Sequence, residues 1–73
     1  MADTSVLSEL NAVVWKIEVA PGGRVRNGDT LIVLESMKME IPVAAPRDGI
    51  VAAILVQETE IVEEGQRLVI LSE

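Results

Sequence analysis

Val13-Val14-Trp15-Lys16-Ile17-Glu18-Val19, followed by Leu31-Ile32-Val33-Leu34, comes back 37 residues later as Ile50-Val51-Ala52-Ala53-Ile54-Leu55-Val56 and Leu68-Val69-Ile70-Leu71. The match needs no gap. It extends to Val25 on Val62, Gly28 on Gly65, Val6 on Val43 and Ala12 on Gly49. Two copies, each too short to fold alone, make a pseudo-twofold domain and not a solenoid, which needs at least about three repeats. The copies span residues 12–35 and 49–72 of a single domain, 1–73.

Each copy reads as β structure. Val and Ile contribute 18 of the 73 residues, and β-branched side chains suit a pleated, half-buried surface. No segment holds the i, i+3, i+4, i+7 apolar spacing of a helix without Gly or Pro interrupting it. Val13, Trp15, Ile17 and Val19 alternate with Val14, Lys16 and Glu18, which predicts a strand with one buried face. On that phase Trp15 belongs in or near the core, the large partner of the small Ala52. Pro21-Gly22-Gly23 breaks the strand, and Asn27-Gly28 predicts a tight turn because both residues tolerate positive φ. Glu58-Thr59-Glu60 and Glu64-Gly65 are the turns of the second copy. With a leading segment in each half, the count is about eight short strands. The expected fold is all-β, a flattened barrel or sandwich of two four-stranded antiparallel sheets with quasi-twofold symmetry.

The composition excludes several functions. There is no Cys, no His and one aromatic residue, Trp15. Thiolate and imidazole metal ligands, disulfides and Ser-His or Cys-His nucleophilic pairs are therefore absent. Twelve acidic residues against six basic leave a net charge of −6. That field repels phosphate, so nucleic acid is not an expected partner. No apolar run approaches the roughly 20 residues of a membrane span. Met1-Ala2-Asp3-Thr4 lacks the basic and apolar regions of a signal peptide. A cytoplasmic protein, monomeric on its own, is expected. The carboxylate pairs Glu58/Glu60 and Glu63/Glu64 fall at turns and read as solvated turn residues, not acid–base dyads.

Between the copies lies Glu35-Ser36-Met37-Lys38-Met39-Glu40, with no strand character from Ser36 to Met39. Lys38 should stand at a turn tip and point to solvent. This stretch resembles the Met-Lys-Met attachment motif of biotinyl domains, the carrier parts of biotin-dependent carboxylases. Val25, Gly28-Asp29, Ile41-Pro42-Val43, Gly49, Val51 and Gly65-Gln66 extend the resemblance over nearly the whole chain. It implies a biotin carboxyl carrier of the biotinyl/lipoyl attachment family; the natural-looking start Met1-Ala2-Asp3-Thr4 favours a small stand-alone protein over the C-terminal domain of a longer one. By that resemblance, a biotin-protein ligase joins biotin to Lys38 in an amide. The swinging arm then carries CO2 between biotin carboxylase and carboxyltransferase sites. The domain itself is not an enzyme. Met37 and Met39 are the flanking residues a ligase reads, with Glu35, Ser36 and Glu40 as hairpin context. Lys16, on a strand and without a motif, is a plain surface lysine.

Ser36 stands where the family motif usually carries Ala. The first copy lacks the Ala45-Pro46 and Gly49 of the second, so its leading hairpin is expected to be looser or differently turned. The loop from Ala20 to Arg24 is too short for the protruding thumb of some bacterial acetyl-CoA carboxylase carriers. The rival readings are a lipoyl domain, which usually presents Asp-Lys-Ala at the tip, and an unmodified barrel-sandwich interaction module. Lys38 stands 35 residues before Glu73, as in carriers that end with this domain.

Overall fold

A computed structural model describes residues 3–73; Met1 and Ala2, read above as an ordinary start, lie outside it. Eight strands follow in order: β1 (Thr4–Leu7), β2 (Ala12–Ile17), β3 (Arg24–Val25), β4 (Thr30–Ser36), β5 (Met39–Ala44), β6 (Gly49–Ile54), β7 (Ile61–Val62) and β8 (Arg67–Ser72). They form two antiparallel four-stranded sheets, ordered β1-β8-β6-β3 and β5-β4-β2-β7. No helix occurs among the described residues, so none is long and apolar enough to cross a membrane.

Adding 37 to any strand of the first half gives its counterpart in the second, and the two sheet orders map onto each other. The match reaches single hydrogen bonds. The Gly28 N–H donates to the Ala45 carbonyl (2.8 Å), and the Gly65 N–H to the Ser8 carbonyl (2.8 Å). The Asn27 N–H donates to Asp48 Oδ1 (2.7 Å), and the Glu64 N–H to Asn11 Oδ1 (2.7 Å). Gly28 and Gly65 carry φ of +92° and +87°, the left-handed region that a tight turn reserves for residues without Cβ. The leading hairpin of the first copy is therefore neither looser nor, in these backbone bonds, differently turned. Ser8 takes the place of Ala45 and is equally buried. Its hydroxyl donates to the Leu10 carbonyl (2.6 Å), holding the turn that Ala45-Pro46 holds in the second copy.

The core lies between the sheets. Val14, Leu31, Ile32, Leu34, Val51, Val62, Leu68, Val69 and Leu71 have almost no exposed surface, and both copies contribute. Trp15 does not join them; it is 48% exposed. The cause is a β-bulge. Val14 pairs with Leu34 but Lys16 with Val33, leaving Trp15 as the extra residue. A bulge of this kind shifts the alternation by one position. Ala12 and Val14 point inward before it, and Ile17 and Val19 pack on the core after it. The expected phase of Val13, Trp15, Ile17 and Val19 holds only beyond the bulge. Ala52 occupies the corresponding bulge of β6, between Val51 and Ala53. Trp15 and Ala52 are thus equivalent surface positions, not complementary core partners.

Candidate functional site

β4 is a central strand, bonded to β2 on one side and β5 on the other. The β2 pairing ends at Val13↔Glu35, while the β5 pairing continues through Glu35↔Glu40 to Ser36↔Met39. The last rung of the β4–β5 hairpin therefore projects beyond the rest of the sheet. Strand character persists through Ser36 and resumes at Met39, so the connection is tighter than the sequence implied. Only Met37 and Lys38 are left to turn the chain.

Their φ angles are +51° and +66°. Two consecutive residues with positive φ mark the type I′ turn, whose twist matches that of the flanking strands. Asn-Gly is its preferred sequence. Here a methionine and a lysine adopt it, at a cost of roughly 1–2 kcal/mol per residue. Such strain persists where the surrounding structure imposes it, and it gathers at functional positions. The imposing structure is the β4–β5 ladder, anchored by the buried Leu31, Ile32 and Leu34.

Lys38 is exposed, and among the described residues its side chain makes no hydrogen bond and no ion pair. The one ion pair found among them, Arg47 with Glu73 at 3.9 Å, lies elsewhere. Met37 is 92% exposed, and Met39 is also exposed. Glu35 and Glu40 lie directly opposite each other, exposed, on the outer face below the tip; Ser36 is half-buried. The six hairpin residues singled out from the sequence therefore stand together. Lys16 lies opposite Val33 in mid-sheet, away from the turn.

Of the carboxylates expected at turns, Glu63 and Glu64 are exposed, and Glu58 and Glu60 cap backbone N–H groups. Glu58 Oε2 accepts from the Ile17 N–H (3.1 Å), and Glu60 Oε1 accepts from the Gln57 N–H (3.0 Å). No cluster of metal-ligating residues occurs among the described residues. A groove runs between edge strands β1 and β5, past Leu7, Leu34 and Ile41, and does not include Lys38. What the hairpin offers chemically is one accessible primary amine on a short, stiff support.

The family model described as "Biotin-requiring enzyme" matches residues 1–71. The chain is 44% identical over 59 residues to the "Biotin/lipoyl attachment protein" of Bacillus subtilis, covering 81% of each. It is 45% identical over 51 residues to the "Biotin carboxyl carrier protein of acetyl-CoA carboxylase" of Streptococcus pyogenes, covering 70% of this chain and 31% of that one. Among solved structures it is similar to the urea carboxylase of Kluyveromyces lactis, with a TM-score of 0.93 and 32% identity. That match covers 99% of this chain and 6% of the carboxylase.

Proposed function

The chain belongs to the biotin/lipoyl attachment family and is a biotin carboxyl carrier with covalently bound biotin; we propose that Lys38 is the residue that bears it. The observation that carries this reading is an exposed lysine, without a side-chain partner among the described residues, in a strained two-residue turn on a hairpin that outreaches its sheet. Such an amine is exposed to an acylating enzyme. Among the described residues no ion pair or hydrogen bond is lost when an amide replaces its charge. Lys16, in mid-sheet, lacks this reach.

Biotin, when bound, supplies a ring nitrogen that takes up CO2 at one active site and yields it at another. The chain's own part is mechanical. The β4–β5 ladder fixes the backbone at Lys38, so the freedom of the arm is confined to the side chain and its extension. A tether of that kind replaces free diffusion with a high effective concentration at each partner site. The domain performs neither chemical step; both fall to the carboxylase it serves. Its partners are biotin-dependent carboxylases, as biotin carboxylase and carboxyltransferase subunits. A biotin-protein ligase loads it, reading Met37 and Met39, with Glu35, Ser36 and Glu40 shaping the hairpin. We place it in the cytoplasm as one domain over residues 1–73, with the hairpin at residues 35–40 between the two copies.

Co-expression with a biotin-protein ligase tests the assignment. One biotin per chain is expected by intact mass, none in Lys38→Arg, and an unchanged load in Lys16→Arg. A full load on Lys38→Arg would overturn it.

A further inference from the structure

Face-sharing across the β5-β4-β2-β7 sheet follows from its register. Ile61, Val13, Glu35 and Glu40 form one row of directly opposed residues, and Lys16, Val33 and Pro42 the next. Glu35, Glu40 and Ile61 are exposed, so these rows lie on the outer face. Trp15 joins them through its bulge. Val14 before it is buried and Ile17 after it packs on the core, which leaves Trp15 and Lys16 outside. The outer face thus carries Val13, Trp15, Val33, Pro42 and the 74%-exposed Ile61.

The other sheet serves as an internal control. At the positions equivalent to Ile61, Trp15 and Pro42 it carries Arg24, Ala52 and Ser5. The backbone is the same and so are its demands, so the fold needs neither a tryptophan in the bulge nor an isoleucine on the short strand. Val13 and Val33 have apolar equivalents on the other sheet, Ile50 and Ile70, so what distinguishes the sheet whose hairpin presents Lys38 is the addition of Trp15, Ile61 and Pro42. Carboxylates border them: Glu35 and Glu40 toward the tip, and Glu58 bonded at the end of β2. Lys16 is the cation among them. A net charge of −6 on 73 residues opposes pairing of two copies through this face.

We propose that the Trp15 face is the docking surface for the biotin carboxylase subunit, which charges the Lys38 arm. Its complement is an apolar patch bordered by arginine or lysine. The inference rests on the carrier reading above. Burial of an aromatic anchor holds the carrier, and the acidic border orients it. Docking through this sheet brings the hairpin to the enzyme with its rigid side against the enzyme surface.

The probe is the purified biotin carboxylase subunit of the native host, assayed for bicarbonate-dependent ATP cleavage against fully biotinylated carrier. Trp15→Ala reproduces the residue at the equivalent bulge, and Ile61→Ser removes the other anchor. Each is expected to raise KM for the carrier about tenfold with kcat unchanged, and high salt to raise KM for the unmodified sequence. Arg24→Ser, the equivalent of Ile61 on the other sheet, should leave KM as it was. Unchanged KM in both face variants, or an equal rise in Arg24→Ser, would overturn the proposal. So would a concentration-dependent dimer that Trp15→Ala dissociates, because a second copy would then cover the face. A drop confined to the rate of biotin loading would also overturn it, by assigning the face to the ligase. Failure of the carrier reading shows separately, as absence of biotin on unsubstituted protein.

Discussion

Thr59 has a φ of +75°, and Gly22, its equivalent in the first copy, has +89°. A β-branched residue in the left-handed region is a true outlier. The surrounding bonds hold it there: the Thr59 N–H donates to the Val14 carbonyl (2.7 Å), as the Gly22 N–H does to that of Val51 (2.7 Å). Thr59→Gly should therefore stabilise the protein by about 0.5–1 kcal/mol, the relieved strain exceeding the entropy cost of glycine. Urea denaturation would show it as a higher midpoint; a lower midpoint would mean that Thr59 is unstrained. The opposite change bears on Gly28. A Cβ there would meet open space, so only backbone strain opposes it. Gly28→Val is expected to lose about 1–2 kcal/mol, more than the roughly 0.5 of an ordinary surface change. An unchanged melting temperature would contradict the turn assignment.

Strands were legible because their signals are local: alternating apolar residues, broken by Pro-Gly and Asn-Gly. The bulges were not. A bulge lies in the pairing of two strands, and nothing in Val13 to Val19 announces that Trp15 has no partner of its own. The repeat held a clue, since Ala52 at the same position shows that no large core residue is needed. Two consequences follow. Trp15→Ala should cost less than about 1 kcal/mol, as at an exposed site; a loss of about 3–5 would return Trp15 to the core. In the β4–β5 hairpin, Met37→Asn gives the turn a residue that tolerates positive φ more readily. A gain of about 0.5–1 kcal/mol in thermal unfolding is expected, together with slower loading by the ligase if Met37 is one of the residues it reads.

At the scale of the molecule, the 37-residue repeat was the most informative feature of the sequence, because one copy's turns predict the other's. It foretold two equivalent sheets, and the structure extends the equivalence to individual backbone bonds. The position of Lys38 follows from the same symmetry. In the β5-β4 pair the chain crosses from strand to strand through Met37-Lys38, whereas at the equivalent end of the other sheet Thr4 lies opposite Leu71 near the two chain ends. The repeat thus has one internal hairpin of this kind, and the lone motif lysine occupies it. What the sequence concealed was the difference between the two outer faces, which needs register to be seen. Peptide mapping of the protein purified from its native host tests the central claim most directly. Biotin on the peptide containing Lys38, with streptavidin binding and no anti-lipoyl reactivity, is the predicted result; lipoate on Lys38, or biotin on Lys16 in its place, would contradict it.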